Sequence, residues 1–437
     1  MSKQFNHTYI IGISFISALG GYLFGFDFAV ISGALPFLRD AFGLNAWWEG
    51  FLTGSLALGC MAGCLAAGKL ADRYGRKPGL MLAALIFTLS SLGMAWSNSL
   101  TVFVCMRFAA GIGVGMASIL SPLYIAEVSP AHIRGRNVSI NQLTIVIGIL
   151  ITNLVNYSLA GKGSEAWRWM FGLGAVPSVI FLLGVCWLPE SPRWLIGKGR
   201  IAEAKKTLAR IGGDEEIPVE RPAAKPSYKA VFEKAVRPAV VIGITLAVFQ
   251  QLCGINIVFN YTSTIFASAG ADLNSQLFET ITIGAVNLVF TLVAMWQVDK
   301  LGRRPLMLIG SAGLSVVYII LASLLQNQLD VRLVSFFVML AIALYATSLA
   351  PVTWVLIAEI FPNHIRGLAS SIAVVSLWGA YFILVFTFPI LAEQLGTYGP
   401  FYLYAGICTL GFLFIRSKVK ETKGQSLEEL EQHLTGH

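Results

Sequence analysis

Runs of about 20 mostly apolar residues, separated by short polar stops, recur along the chain from roughly Tyr9 to Arg416. That is the length an α-helix needs to cross a hydrocarbon core ~30 Å thick. The pattern predicts twelve spans, at 9–37, 49–71, 79–97, 101–126, 137–160, 168–188, 237–268, 276–298, 305–326, 332–358, 367–391 and 399–416. Backbone N–H and C=O groups in lipid have no water to bond, so each span is expected to be helical. A β-barrel would instead show short alternating segments, whereas these runs are continuous and rich in Leu, Ile and Gly. The one long polar stretch, 189–234, reads as a linker, helical around 201–211. The expected organisation is an all-α membrane protein: a six-helix bundle over 1–188, a linker over 189–236, a second six-helix bundle over 237–416, and a tail over 417–437.

Composition agrees with burial in lipid. Hydrophobic residues make up 56% of the 437 and charged residues 12%, about half the charged share of a soluble domain. The net charge of +8 could suggest a nucleic-acid partner, but its placement reads as a topology signal. With both termini taken as cytoplasmic, only Arg39, Lys162, Arg168 and Arg332 fall outside and Arg107 falls within a span, which leaves 26 of the 31 Lys and Arg inside. That asymmetry is the positive-inside rule for an even number of spans. The N-terminal residues carry no cleavable signal pattern, so the first apolar run is expected to be a retained helix. Six cysteines all lie in apolar segments. Cys60 and Cys64 share a helix face, but no second Cys or His pair stands near them to complete a zinc site, so they read as small buried hydrophobes and no metal is expected.

The chain repeats itself across the linker. Asp72-Arg-Tyr-Gly-Arg-Lys-Pro78 recurs as Asp299-Lys-Leu-Gly-Arg-Arg-Pro305, each between the second and third span of its half. Glu127, Pro130 and His132-Ile-Arg-Gly135 recur as Glu359, Pro362 and His364-Ile-Arg-Gly367, each between the fourth and fifth. Parallel duplication of this kind is how transporters place a substrate site between repeats near the bilayer midplane. The repeated loops set Arg73, Arg76, Arg134, Arg136, Arg303, Arg304 and Arg366 beside Asp72, Glu127, Asp299 and Glu359. Charge-assisted bonds among them would make a cytoplasmic latch between the halves; simple anchoring of positive loops would need no acids.

At these residues the chain resembles the sugar porters of the major facilitator superfamily, over nearly its whole length. The resemblance rests on Gly68-Lys-Leu-Ala-Asp-Arg-Tyr-Gly-Arg-Lys77, Arg107 with Gly111-Ile-Gly-Val-Gly115, Tyr124-Ile-Ala-Glu127 with Arg134-Gly135, and Pro189-Glu-Ser-Pro-Arg-Trp-Leu195. Gln250-Gln-Leu-Cys-Gly-Ile-Asn256, Asp299 to Arg304, Pro351 with Trp354, Glu359-Ile-Phe-Pro362 and Glu421-Thr-Lys-Gly424 follow in order. It implies a twelve-helix major facilitator fold in a cell inner membrane, alternating access, and a monosaccharide as cargo. No catalytic set is present in the sequence, so no enzymatic activity and no cofactor are expected, and the chain is expected to be a monomer with no partner beyond the sugar, the proton and the lipid bilayer.

A sugar presents hydroxyls that both donate and accept and a flat C–H face, so its site needs amides and aromatic rings. Amides at lipid depth are costly unless used, and Gln250, Gln251 and Asn256 in the seventh span, Asn287 in the eighth and Gln142 in the fifth are such groups. By resemblance these five bond the sugar, and Phe24, Tyr261, Trp354 and Trp378 line the site. Helix–helix hydrogen bonding is the plainer use of such amides. Two positions depart from the family pattern: Leu377 stands where an amide is usual and Asn260 where a tyrosine is common. With Ile149 making the wall beyond Gln142 apolar, the pattern resembles the glucose-type porters more than the xylose type.

Asp27, mid-way through the first span, and Arg107, in the fourth, are the candidate proton-coupling pair. A carboxylate at this depth needs a partner or a proton. If its access to Arg107 changes between states, its proton affinity changes with it, which is what coupling requires. The resemblance implies the same, because proton-driven members carry Asp here and passive carriers an amide. A symporter is thus expected ahead of a passive uniporter, and ahead of a nutrient sensor on the same scaffold. The glycine-rich stretch ending in Gly68-Lys69 lacks the Ser or Thr that a phosphate-binding loop requires at Leu70, and Gly111 to Gly115 suits close helix packing instead.

Overall fold

The structure, a computed structural model, describes residues 5–130, 133–212, 231, 233, 236–361 and 365–421, without the side chains of 298, 299, 358, 359, 366 and 367. The first half contributes α1 (His7–Phe42), α2 (Ala46–Tyr74), α3 (Arg76–Ala95), α4 (Leu100–Val128), α5 (Arg134–Leu159), α6 (Ala166–Gly172) and α7 (Ala175–Trp187). Two short helices follow, α8 (Pro192–Gly197) and α9 (Ile201–Ile211). The second half contributes α10 (Arg237–Leu252), α11 (Ile255–Asn260), α12 (Thr262–Ser268), α13 (Leu273–Leu301), α14 (Arg303–Gln326), α15 (Val331–Thr347), α16 (Leu349–Ile360), α17 (Arg366–Leu395) and α18 (Gly399–Lys418). Among the described residues, twelve helical runs are long and apolar enough to cross a membrane. The chain is a multi-pass membrane protein, and twelve crossings return the end of α18 to the side on which α1 begins. That side is called the terminal side below, and the other the far side.

Three spans are broken where the sequence predicts unbroken helices. The sixth splits into α6 and α7, the seventh into α10, α11 and α12, and the tenth into α15 and α16 at Ser348. At the first break in the seventh, between α10 and α11, the cause is Gly254, whose φ of +89° belongs to the left-handed region. A side chain there would also stand 2.6 Å from the Tyr404 ring, so only glycine fits.

The chain groups into two compact units. The first comprises Met1–Val30, Leu58–Thr152 and Glu165–Ala224. In it α3 packs against α4, α6 and α7. Small residues let backbones approach closely: Gly113 faces the Ala83 carbonyl, and Gly115 meets the Cys60 backbone. This is the packing role expected of the Gly111 to Gly115 run. The second unit comprises Ile31–Ala57, Asn153–Ser164 and Lys225–His437. In it α14 lies against α15 and α18, α10 against α16 and α17, and α13 against α15. The unit also takes in the far-side ends of α1, α2 and α5.

Candidate functional site

In the first unit, Asp27 on α1 and Arg107 on α4 form an ion pair, Arg107 Nη1 donating to Asp27 Oδ1 at 3.0 Å. Both residues are 0% exposed. The pair is single-pronged: Asp27 Oδ2 and Arg107 Nε and Nη2 are buried without a hydrogen-bond partner. The guanidinium lies over the Phe171 ring, 5.7 Å from its centre. A buried ion pair repays its desolvation only when its remaining lone pairs and protons are also satisfied, and here an oxygen and two nitrogens are not. The arrangement leaves a carboxylate oxygen able to take a proton and a guanidinium able to take another acceptor. Phe24, half-buried on α1, packs edge-on against Phe28 at 5.9 Å. Gln142 on α5 is exposed, and Ile149 on the same helix is buried.

In the second unit, the break at Gly254 brings the end of α10 and the short α11 together. Gln250, Gln251 and Asn256 are buried there, and Asn256 Nδ2 donates to Gln251 Oε1. Gln250 Oε1 is buried without a hydrogen-bond partner. Asn287, on α13, is also buried. Tyr261 is packed away on α17: its hydroxyl donates to the Val385 carbonyl at 2.9 Å and its ring lies 4.8 Å from Phe388. Trp378 on α17 is 5% exposed and Trp354 on α16 is 45% exposed. Leu377 is fully enclosed.

At the terminal side each half ties its own loops. Arg76 forks onto Glu127, Nε donating at 2.9 Å and Nη2 at 2.8 Å, while Asp72 lies 3.9 Å from Nη1. Arg73 is exposed, its guanidinium over the Tyr74 ring, and Arg134 is half-buried. The Glu190 carboxylate accepts from the backbone N–H of Arg76 at 3.0 Å, Lys77 at 3.2 Å and Ser191 at 2.8 Å. It thereby caps the N-terminus of α3, whose first N–H groups have no partner within the helix. Burial pushes the Glu190 carboxyl above the usual range, against the opposing pull of those N–H donors. The second half repeats the device: Glu421 accepts from the backbone N–H of Arg303 and of Arg304, each at 3.0 Å, capping α14. Arg304 Nη2 also donates to the Arg416 carbonyl. The side chains of Asp299, Glu359 and Arg366 lie outside the described residues.

With this geometry in view, comparison with known proteins is direct. Residues 13–434 match the family described as "Sugar (and other) transporter". The chain belongs to that family. It is 38% identical to the arabinose-proton symporter of Bacillus subtilis, over 99% of this chain and 96% of that one. It is 36% identical to the D-xylose-proton symporter of Escherichia coli, over 99% and 97%. With the glucose transport protein of Synechocystis it shares 39% identity, over 97% of each chain. The inward open structure of the E. coli xylose transporter superposes with a TM-score of 0.86 at 35% identity, covering 98% of this chain and 100% of that one.

Two features of this family member escape the sequence reading. The first is the pair of capping carboxylates, Glu190 and Glu421. Their capping role carries no signal in the sequence, because each accepts from N–H groups far away along the chain, 114 residues for Arg76 and 118 for Arg303. The second is a set of far-side bonds between residues of the two repeats. Arg39 on α1 forks onto Glu49 on α2, Nε and Nη2 each at 2.6 Å, and Nη2 also donates to Thr264 Oγ1 on α12 at 2.6 Å. Ser263 donates to the Ser32 carbonyl at 2.8 Å, and Asn153 Nδ2 to the Thr280 carbonyl at 2.7 Å. Gly50 packs its α-carbon against the Phe386 backbone. Nothing in the sequence marks these partners, since they come from segments that do not repeat.

Proposed function

We propose that the chain is a proton-coupled symporter that carries a monosaccharide, a hexose or pentose with the glucose type favoured, across a cell inner membrane by alternating access. It acts as a monomer, with both termini in the cytoplasm. The observation that carries this reading is the buried Asp27–Arg107 pair with its open carboxylate oxygen. Relatives named as arabinose-proton and xylose-proton symporters support it. The orientation rests on the excess of Lys and Arg in the segments on the terminal side.

In this mechanism a proton taken up on Asp27 Oδ2 neutralises the carboxylate and releases Arg107, so the two protonation states favour different helix arrangements. The sugar is held by Gln142, Gln250, Gln251, Asn256 and Asn287, with Phe24, Tyr261, Trp354 and Trp378 as its aromatic surround. Gln250 Oε1, buried with nothing to accept from, is suited to a sugar hydroxyl. Asp72, Arg73, Arg76, Glu127, Arg134, Asp299, Arg303, Arg304, Glu359 and Arg366 form the cytoplasmic latch, held in register by Glu190 and Glu421. One proton moved through ~100 mV supplies about 2.3 kcal/mol, enough for roughly fifty-fold accumulation at one sugar per proton.

Purified protein in lightly buffered vesicles tests the coupling. Adding sugar outside should drive protons inward and alkalinise the external medium; sugar entry without any proton movement would make the chain a passive carrier. Competition of glucose, galactose, xylose, fructose and inositol against labelled glucose then identifies the cargo, and failure of all five to compete or enter would remove the sugar reading.

A further inference from the structure

Asn260 is the last residue of α11, a helix of six residues bounded by the break at Gly254 and by Tyr261. A helix that short does not hold itself together in isolation, yet it carries Asn256, one of the amides assigned to the sugar. Asn260 is 0% exposed, and both ends of its side chain are used. Its Nδ2 donates to the Asn256 carbonyl at 2.7 Å, and its Oδ1 accepts from the Tyr381 hydroxyl on α17 at 3.1 Å. A carbonyl can only accept, which fixes the amide's orientation and requires the tyrosine to donate. The Tyr381 ring in turn packs edge-on against Trp378 at 5.7 Å, and Asn256 donates to Gln251. Asn256 is therefore held at two points, its side chain on Gln251 and its main-chain carbonyl on Asn260, and Asn260 is tied in turn to Tyr381, whose ring lies against Trp378.

We infer that Asn260 and Tyr381 form a positioning bridge that sets the angle of α11, so that the Asn256 amide and the Trp378 face are presented to the sugar together. The inference rests on the reading of Gln250, Gln251, Asn256 and Trp378 as sugar contacts. Neither Asn260 nor Tyr381 touches the sugar. They act by holding residues that do.

The test uses the full chain reconstituted in liposomes, with labelled D-glucose, D-xylose and L-arabinose each as probe. Tyr381→Phe removes one oxygen and leaves the ring in place. It is expected to raise KM for the transported sugar roughly three- to tenfold, the worth of one lost hydrogen bond. The maximal rate and the dependence of rate on pH should stay unchanged. Asn260→Ala should raise KM similarly, and the Asn260→Ala/Tyr381→Phe double variant no further than the larger single effect, because both delete the same bond. Should Asn260→Ala fail to fold, Tyr381→Phe alone decides. An unchanged KM in Tyr381→Phe, or fully additive losses in the double variant, would overturn the bridge. Gln250→Ala, measured alongside, separates the two readings: a loss of sugar affinity there with no effect at Tyr381 defeats only the bridge. No effect at Gln250 defeats the sugar site and the bridge with it.

Discussion

Asp27 uses one carboxylate oxygen on Arg107 and leaves the other buried and bare. Replacing it by Asn keeps the shape and removes the charge that a proton would neutralise. Asp27→Asn is expected to abolish uptake against a gradient while sugar exchange between preloaded vesicles continues; concentrative uptake by that variant would move the coupling to another group. The Arg76–Glu127 fork is a different kind of pair, with side chains only 12% and 8% exposed and geometry that satisfies both partners. Glu127→Ala strands a largely buried guanidinium and should lower stability by about 3 kcal/mol, read as a fall in melting temperature in detergent. Both residues were legible in the sequence, because a charge in or beside an apolar span must have a reason to be there. Arg39 was not, since one arginine outside the membrane looks like any other until Glu49 and Thr264 are seen to meet it. Tyr261 illustrates the opposite limit: its aromatic character was plain, but not that its hydroxyl would be spent on the Val385 carbonyl.

The spans themselves could be read from hydropathy to within a few residues, as 9–37 against His7–Phe42 and 399–416 against Gly399–Lys418 show. Their breaks could not, because an apolar run continues through them. At Gly254 the cause lies in one backbone angle and in the Tyr404 ring packed beside it, to which hydropathy is blind. Gly254→Ala would force a side chain into a left-handed conformation and against the Tyr404 ring. It should cost about 1–2 kcal/mol in backbone strain alone and weaken sugar affinity by tilting α11, measurable as a joint change in melting temperature and KM. At the far ends of α1, α2 and α12, Arg39 is the shared donor. Arg39→Gln loses the fork on Glu49, so the bond to Thr264 loses its support. Ser263→Cys, introduced on the same α12 segment, should then react several-fold faster with an impermeant maleimide; an unchanged rate would show that apolar packing such as Gly50 on Phe386 holds these ends without it.

At the scale of the molecule, duplication organises what the chain does. The same loop, with a glycine at positive φ and a carboxylate from beyond the sixth span of its half, starts α3 at Gly75 and Glu190 and starts α14 at Gly302 and Glu421. The repeated arginine-rich strings made this duplication visible in the sequence, whereas the capping acids lie outside those strings and became visible only with the backbone in place. Duplicated halves carry the fold, and the proposed coupling sits on the buried Asp27–Arg107 pair of the first unit. The measurement that tests this most directly is uptake of labelled sugar into liposomes holding the purified chain, with and without an inward-directed proton gradient and with no sugar gradient at the start. Internal sugar should rise several-fold above external under the proton gradient and collapse to equality when a protonophore is added. Equilibration to the same level with and without the gradient would contradict the account.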